Sequence, residues 1–285
     1  MKRIFVLVSI FMLLQVASNA QNSQSLLWRI SGKGMSKPSF LFGTIHLICP
    51  SDYLWTDKMK QSLDASDKVC FEMDLDDNKV MMSASEGFID NSGKKLKEYF
   101  TPVQYEILKK FVKDSIGMDI ILFQSMKPVA LESVISMKAT KCIDPVSYEE
   151  TIMKTAKANN KEVLGLEDPS EQISVLDNAP ADTVVKEIMD EIANFGKNKQ
   201  EYNDMVNAYK AQQLLTLYGM ITGSKGLGDN MDLYLDDRNK RWIEMMTGKM
   251  KNCTVFFAVG AGHLPGDNGV INLLRKAGYT VEPVL

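Results

Sequence analysis

The two histidines of this 285-residue chain each follow an apolar segment at the same short spacing. One segment leads into Gly43-Thr44-Ile45-His46 and the other into Gly260-Ala261-Gly262-His263. Both segments are rich in β-branched or aromatic residues, which at this length favours strands. Ligands of an open sheet gather at the carboxyl ends of its strands. We therefore expect the two histidines to lie in one shared site.

Histidine suits two kinds of chemistry at such a site. A neutral imidazole binds ions such as Zn, Mn, Fe or Co, and it can instead act as a general base. The glycines that precede each histidine predict a sharp turn through positive φ and free space beside a ligand. Either histidine alone would indicate only a hydrogen-bonded loop or core residue. Their matched positions after matched strands favour the shared site.

Carboxylates follow two further predicted strands. Alternation over residues 68–75 places Glu72 and Asp74 on one face, at the carboxyl end of that strand. A strand over residues 162–168 ends in Glu167. These positions predict additional site residues. The alternative for the first of them is an edge strand with a solvated face.

Arg238 lies in a charged run within a predicted helix over residues 229–247. Its guanidinium group presents a rigid fork of donors that could hold a carboxylate over the site. From the sequence alone, a solvated charged face is the favoured interpretation.

The remaining pattern predicts an α/β (mixed α+β) fold with a central mixed β-sheet flanked by many helices. A hairpin joins the strands at residues 26–30 and 39–46, and a last strand covers residues 279–284. Ser147 and Thr101 are typical helix caps, and Pro102 and Pro169 suit first helical turns. The predicted helices cover residues 57–65, 94–100, 102–116, 129–139, 148–158, 169 onward, 182–194, 199–221, 229–247 and 269–277.

Residues 1–20 are typical of a cleavable signal peptide, with a basic start, an apolar centre and a small-residue site before Gln21. We expect cleavage between Ala20 and Gln21, and a mature protein that is periplasmic or secreted. The apolar run is too short for a comfortable membrane span, and no other stretch is suited to one. Residues 21–285 are long enough for one large domain. The formal net charge of −3 argues against nucleic acid as a partner.

An oxidising compartment permits disulfides among the 4 cysteines. Cys49 and Cys142 lie in loop-like surroundings, and a bridge between them would brace the loop after His46. Cys70 and Cys253 lie in or beside apolar strands and suit reduced, buried positions. Their spacings fit no zinc-knuckle pattern.

Taken together, several short motifs resemble the TraB/GumN family, which includes the Tiki proteases. They are the two Gly-x-x-His motifs, Phe71-Glu72-Met73-Asp74, Gly165-Leu166-Glu167 and Asp237-Arg238-Asn239, and the resemblance covers residues 27–284. It implies a fold related to erythromycin esterases and ChaN-like haem-binding proteins. It also implies a metal-dependent peptidase activity, with a peptide or protein as substrate.

Carried over by motif, the resemblance and the chemistry assign roles to five residues. His46, Glu72 and His263 would hold a divalent ion such as Mn, Co or Zn, with a position left for water. Glu72 or Glu167 would take the proton of that water, and Arg238 would stabilise the oxyanion or anchor the substrate. Two alternatives stay open. One is a metal-free hydrolase with a histidine base, and the other is a binding protein that holds a peptide, haem or another ligand without turnover.

Overall fold

The computed structural model of the protein describes residues 24–223 and 232–285. Six strands form one mixed sheet: β1 (Leu27–Ser31), β2 (Ser39–Thr44), β3 (Lys68–Phe71), β4 (Glu162–Gly165), β5 (Val255–Gly260) and β6 (Thr280–Pro283). Their order across the sheet is β4-β3-β5-β2-β1-β6. The predicted α/β class with a central mixed sheet is confirmed.

Eleven α-helices lie in the described part of the chain. They are α1 (Asp57–Asp64), α2 (Asn78–Gly87), α3 (Pro102–Phe111), α4 (Pro128–Met137), α5 (Tyr148–Ala158), α6 (Pro169–Asp177), α7 (Ala181–Ala193), α8 (Phe195–Lys210), α9 (Leu214–Thr222), α10 (Asp237–Lys249) and α11 (Val270–Lys276). None of the helices in these ranges is both long and apolar enough to cross a bilayer. The predicted signal peptide lies outside the described residues.

Strand direction decides where the site forms. β5 is parallel to both β2 and β3, and β3 is parallel to β4. The carboxyl ends of these four strands therefore lie at one edge of the sheet. β1 pairs antiparallel with β2, which confirms the predicted hairpin, and β6 covers the outer side of β1.

Two hydrophobic clusters are present among the described residues. The larger one surrounds the sheet and includes side chains of α1, α5, α8, α10 and α11. The second contains residues of α3, α4 and α7 and of the short helical turns Leu96–Tyr99 and Ile120–Phe123. The larger cluster underlies the strand ends that the candidate site occupies.

Several predicted elements differ from the structure, among them the strand predicted over residues 162–168, which ends at Gly165. The strand predicted over residues 68–75 ends at Phe71, because the chain then turns at Asp74, whose carboxylate accepts a hydrogen bond from the Asp76 amide (3.2 Å). The helix predicted over residues 199–221 is two helices, since Gln212 adopts a left-handed φ of 55°. Residues 94–100 form only the short 3-10 turn Leu96–Tyr99.

The role predicted for the motif glycines was wrong in one respect. Neither Gly43 nor Gly260 adopts a positive φ. A Cβ on Gly43 would instead lie 3.1 Å from the Cα of Ala261, tighter than ordinary contact. This glycine is therefore needed for the close packing of β2 against the turn that follows β5.

The four cysteines have the predicted bonding states, but Cys253 is not fully buried as predicted. Cys49 and Cys142 form a disulfide with a Cα–Cα distance of 5.7 Å. Cys70 is buried and Cys253 half-buried, and both are reduced. The start of the helix predicted over residues 229–247 lies outside the described residues. The described part of that helix begins with a wide turn, Asp232–Asp236, and continues as α10.

Candidate active site

The parallel strand ends bring polar side chains to one cleft of about 290 Å³. His46 follows β2, Glu72 follows β3 and His263 follows β5, so the three come from adjacent strands. Arg238, from the first turn of α10, lines the same cleft. These are four of the five residues that the sequence assigned to the site.

His263 is buried, with a fixed ring orientation. Its Nδ1 lies 2.7 Å from Oδ1 of Asn239, whose amide nitrogen donates to the backbone oxygen of Asn268 at 2.9 Å. This amide orientation makes Nδ1 of His263 the protonated nitrogen and leaves the lone pair on Nε2. The ring also packs against Trp242, with centroids 4.4 Å apart. Burial lowers the pKa of His263 to about 3, so the imidazole is neutral at physiological pH.

Glu72 is held as a carboxylate next to His263. One oxygen accepts the Gly260 backbone N–H at 2.8 Å and lies 3.9 Å from Nε2 of His263. The other accepts N–H groups from Arg238 (2.7 Å) and Gln172 (3.2 Å). Burial opposes the charge, but the Arg238 guanidinium and the Gly260 backbone N–H outweigh it and keep the pKa of Glu72 below its usual range.

Arg238 uses all its donors within the protein. Nε donates to Glu167 (3.1 Å), Nη1 contacts the Tyr234 carbonyl (3.1 Å) and Nε2 of His263 (3.3 Å), and Nη2 donates to Glu72 (2.7 Å) and Glu167 (2.5 Å). A guanidinium group has five N–H groups, so none is left over in this arrangement. The favoured interpretation of Arg238 as part of a solvated face was wrong, since the residue is 9% exposed.

Glu167 is placed behind Arg238 and does not line the cleft. Its side chain is 1% exposed and accepts hydrogen bonds from Trp242 Nε1 at 2.9 Å and Gln172 at 2.7 Å. The following residues start α6, with Asp168 as its N-cap. Glu167 is thus built to hold Arg238 rather than to reach a substrate. Asp74 is also outside the cleft lining, since it belongs to the turn after β3.

His46 occupies a different environment from His263. Its side chain is 78% exposed, and its Nδ1 lies 3.2 Å from Oε1 of Glu149. The hydrogen bond to Glu149 raises the pKa of His46. Sequence reasoning missed this contact, since it identified only the Ser147 cap and the helix that follows it. The one available signal was a carboxylate two residues after the Ser147 cap, which does not indicate a partner 103 residues away.

The donor set fits a divalent ion in part. The described residues contain no preassembled group of three His, Cys, Asp or Glu ligands. Glu72 and His263 supply two donors 3.9 Å apart, against about 3.3 Å for two ligands of a tetrahedral ion. The buried charges of Glu72, Glu167 and Arg238 sum to a net negative charge, which favours a cation. The third ligand of the predicted set is His46, whose Nε2 is not used by Glu149.

Part of the cleft lining is apolar, and we call this part the apolar wall. This wall consists of side chains from α8, α9 and the turns beside β2 and α10: Ile45, Met205, Tyr209, Leu217, Ile221 and Leu235. Such a combination of an apolar surface with a few convergent polar groups is typical of ligand sites.

Residues 26–283 match the TraB/PrgY/gumN family. The chain belongs to this family. The match covers the whole sheet and every residue of the cleft, so the resemblance seen in the short motifs is confirmed.

This TraB/PrgY/gumN chain is similar to the metalloprotease TIKI homolog of Amphimedon queenslandica, with 26% identity over 93% of this chain and 62% of the relative. It is similar to the metalloprotease TIKI homolog of Nematostella vectensis, with 24% identity over 93% of this chain and 68% of the relative. It is also similar to metalloprotease TIKI1 of Danio rerio, with 24% identity over 90% of this chain and 63% of the relative. The chain thus spans about two thirds or less of the length of these relatives. No solved structure matches it. The implied relation to erythromycin esterases and ChaN-like proteins therefore stays a prediction.

Proposed function

We propose that this chain is a metal-dependent peptidase of the TraB/PrgY/gumN family, with its divalent ion held by His46, Glu72 and His263. The observation that carries the proposal is the placement of a Glu72 oxygen 3.9 Å from His263 Nε2 in the cleft. To bind the ion, Nε2 would give up its present contact with Nη1 of Arg238 (3.3 Å). The TIKI relatives, which are metalloproteases by name, support the same reaction class.

When bound, the ion would lower the pKa of a water molecule and polarise a peptide carbonyl. The protein supplies the preorganisation. Asn239 keeps His263 in the tautomer that presents Nε2, and the Gly260 amide and Arg238 hold the two oxygens of Glu72. Glu167 holds Arg238 in turn. Arg238 and Glu167 are positioning residues in this proposal, since a contact from Arg238 to an oxyanion would require one of its present bonds to break.

The two histidines are poorly matched to a metal-free general-base mechanism. An efficient base has a pKa near the working pH. Burial lowers the pKa of His263 to about 3, and Glu149 raises the pKa of His46. A neutral imidazole such as that of His263 can instead serve as a metal ligand. These environments favour the metal-dependent alternative.

The proposed substrate is a peptide or protein with a large apolar side chain near the cleaved bond. The apolar wall of the cleft would receive that side chain, while Glu72 and His263 would face the peptide bond. We also propose that the chain acts in the periplasm or outside the cell after cleavage between Ala20 and Gln21. The Cys49–Cys142 disulfide supports this, because such bonds persist in oxidising compartments.

The test uses untagged protein purified without chelator. Metal content is measured by elemental analysis, and a mixed-sequence peptide library is incubated with Mn, Co or Zn, or with chelator, and analysed by mass spectrometry. We expect metal-dependent cleavage that His46→Ala abolishes. Glu150→Gln is the matched control, since Glu150 is exposed and pairs with Lys154 on the outside of α5.

Different outcomes separate the alternatives. Cleavage that persists in chelator would contradict the metal-dependent proposal and favour a histidine base. Absence of cleavage with every metal, together with retention of a ligand that the His46→Ala variant loses, would favour a binding protein.

A further inference from the structure

Glu149 lies at the end of β2 although it belongs to the first turn of α5. Its Oε1 accepts a hydrogen bond from the Thr44 hydroxyl at 2.7 Å and lies 3.2 Å from Nδ1 of His46. Its Oε2 accepts a hydrogen bond from the Ser147 hydroxyl at 2.9 Å. Both oxygens are therefore occupied, and the side chain is only 18% exposed.

The two segments that carry this contact are joined at two further points. Ile48 and Val146 form a pair of backbone hydrogen bonds of 3.0 and 2.8 Å. The Cys49–Cys142 disulfide links the same two segments just beyond that pair. The loop that carries His46 is thereby held against the chain that enters α5, which keeps the Glu149 carboxylate in place beneath an otherwise exposed ring.

The same arrangement occurs at the second Gly-x-x-His histidine. There Nδ1 of His263 faces an oxygen of Asn239, a residue of α10. At His46 the helix-borne partner is a carboxylate instead of an amide. In metal sites the ring N–H opposite the ligating nitrogen usually donates to such a group, which fixes the tautomer, and a carboxylate raises the basicity of the ligand further.

We propose that Glu149 is a positioning residue that holds His46 in the Nδ1–H tautomer and leaves its Nε2 available in the cleft. The inference rests on the proposed function, in which Nε2 of His46 binds the ion. A carboxylate in the first turn of a helix can also act only by stabilising the helix through its interaction with the helix dipole. That purely structural role would not alter the state of the His46 ring.

Because the chain has 2 histidines, ¹⁵N-histidine NMR resolves the question directly. Spectra of the metal-free protein are recorded above the titration of each ring, and His46→Ala assigns the signals. Glu149→Ala is compared with Glu150→Ala, which removes an exposed carboxylate from the same helical turn. We expect Glu149→Ala to move His46 toward the Nε2–H tautomer that an unconstrained histidine side chain prefers in water, with His263 unchanged and with no effect of Glu150→Ala.

Metal affinity and turnover test the functional half. We expect Glu149→Ala to weaken Mn, Co or Zn binding, or to lower kcat/KM, by about tenfold to a hundredfold. If that variant does not fold, Glu149→Gln keeps the side-chain volume, and removal of the charge is expected to weaken metal binding by about tenfold.

An unchanged His46 tautomer in a folded Glu149→Ala protein would overturn the inference. So would an altered tautomer with unchanged metal affinity and kcat/KM. A wild-type chain that neither binds metal nor cleaves peptides would instead overturn the proposed function, while the NMR comparison still decides whether Glu149 sets the tautomer.

Discussion

At the scale of single residues, the two Gly-x-x-His histidines have the same spacing but different surroundings. His263 is packed against Trp242 and hydrogen-bonded to Asn239, whereas the side chain of His46 is 78% exposed and contacts Glu149. A shared motif therefore does not imply a shared contribution to stability. One histidine belongs to the packed interior, and the other depends on the loop that carries it.

The first prediction compares alanine substitutions at the two positions. His263→Ala removes the Trp242 contact and leaves Asn239 Oδ1 without its donor, so we expect the free energy of unfolding to fall by about 2–4 kcal/mol. His46→Ala should change it by about 0.5 kcal/mol or less, as for most surface substitutions. Chemical denaturation at neutral pH measures both. Equal effects of the two substitutions would contradict the burial difference.

The positions of His46, Glu72 and His263 could be predicted because an apolar run indicates the strand and the chain direction gives its carboxyl end. The burial of Arg238 could not, since the charged run around it is what a solvated helix face also shows. The partner of His46 could not be predicted from the sequence either. Glu149 meets it only because β2 and α5 are brought together by the fold, and no local pattern records that contact.

At the scale of elements, α8 supports the loop that carries His46. The Tyr209 hydroxyl donates to the Gly43 carbonyl at 2.8 Å, and the Tyr202 hydroxyl donates to the Leu47 carbonyl. Lys210, at the end of the helix, binds Asp52 at 2.6 Å. The sequence did not predict the end of α8, because the helical spacing of its residues continues past Gln212. The helix ends because the backbone of Gln212 is left-handed, which the spacing does not indicate.

The second prediction concerns Asp52, whose side chain is 7% exposed between Lys141 and Lys210. Hydrogen bonds from these lysines lower its pKa below 3.8. A depressed carboxyl pKa stabilises the fold above the unfolded-state pKa, and this contribution is lost as the pH falls through the folded-state value. Asp52→Asn should therefore lower the free energy of unfolding by about 1–3 kcal/mol at pH 7.

The pH dependence provides the check. The free energies of unfolding of wild type and Asp52→Asn should differ most near neutral pH. They should converge below about pH 4, where the Asp52 carboxyl starts to be protonated. Asp114→Asn is the control, since Asp114 forms an exposed pair with Lys110 on the protein surface. It should change the free energy of unfolding little, because solvent screens an exposed ion pair. A gap for Asp52→Asn that stays constant into acid would show that its charge is not responsible.

At the scale of the whole molecule, the fold class followed from strand periodicity, and the strand-end location of the candidate site followed from the tendency of ligands to gather at the carboxyl ends of strands. The second hydrophobic cluster did not follow from the sequence. Its residues lie on α3, α4 and α7, and an apolar stripe on a helix indicates that the helix packs but does not identify the element it packs against. The disulfide encloses parts of both the candidate site and the second cluster. It joins Cys49 to Cys142, and the intervening chain includes β3, Glu72 and much of the second cluster.

The last prediction is that this disulfide makes a large contribution to the stability of the whole domain. It closes a loop with a sequence separation of 93, and constraining a loop of this length in the unfolded chain is worth about 2–5 kcal/mol. Reductant, or the double substitution Cys49→Ser with Cys142→Ser, should lower the denaturant midpoint accordingly. Cys253→Ser is the control, since it keeps the bridge and should stay as sensitive to reductant as wild type. Because the bridge also joins the His46 loop to the chain entering α5, reduction should shift the His46 NMR signals before global unfolding. Identical midpoints with and without reductant would contradict the stabilising role, and unchanged His46 signals would contradict the local one.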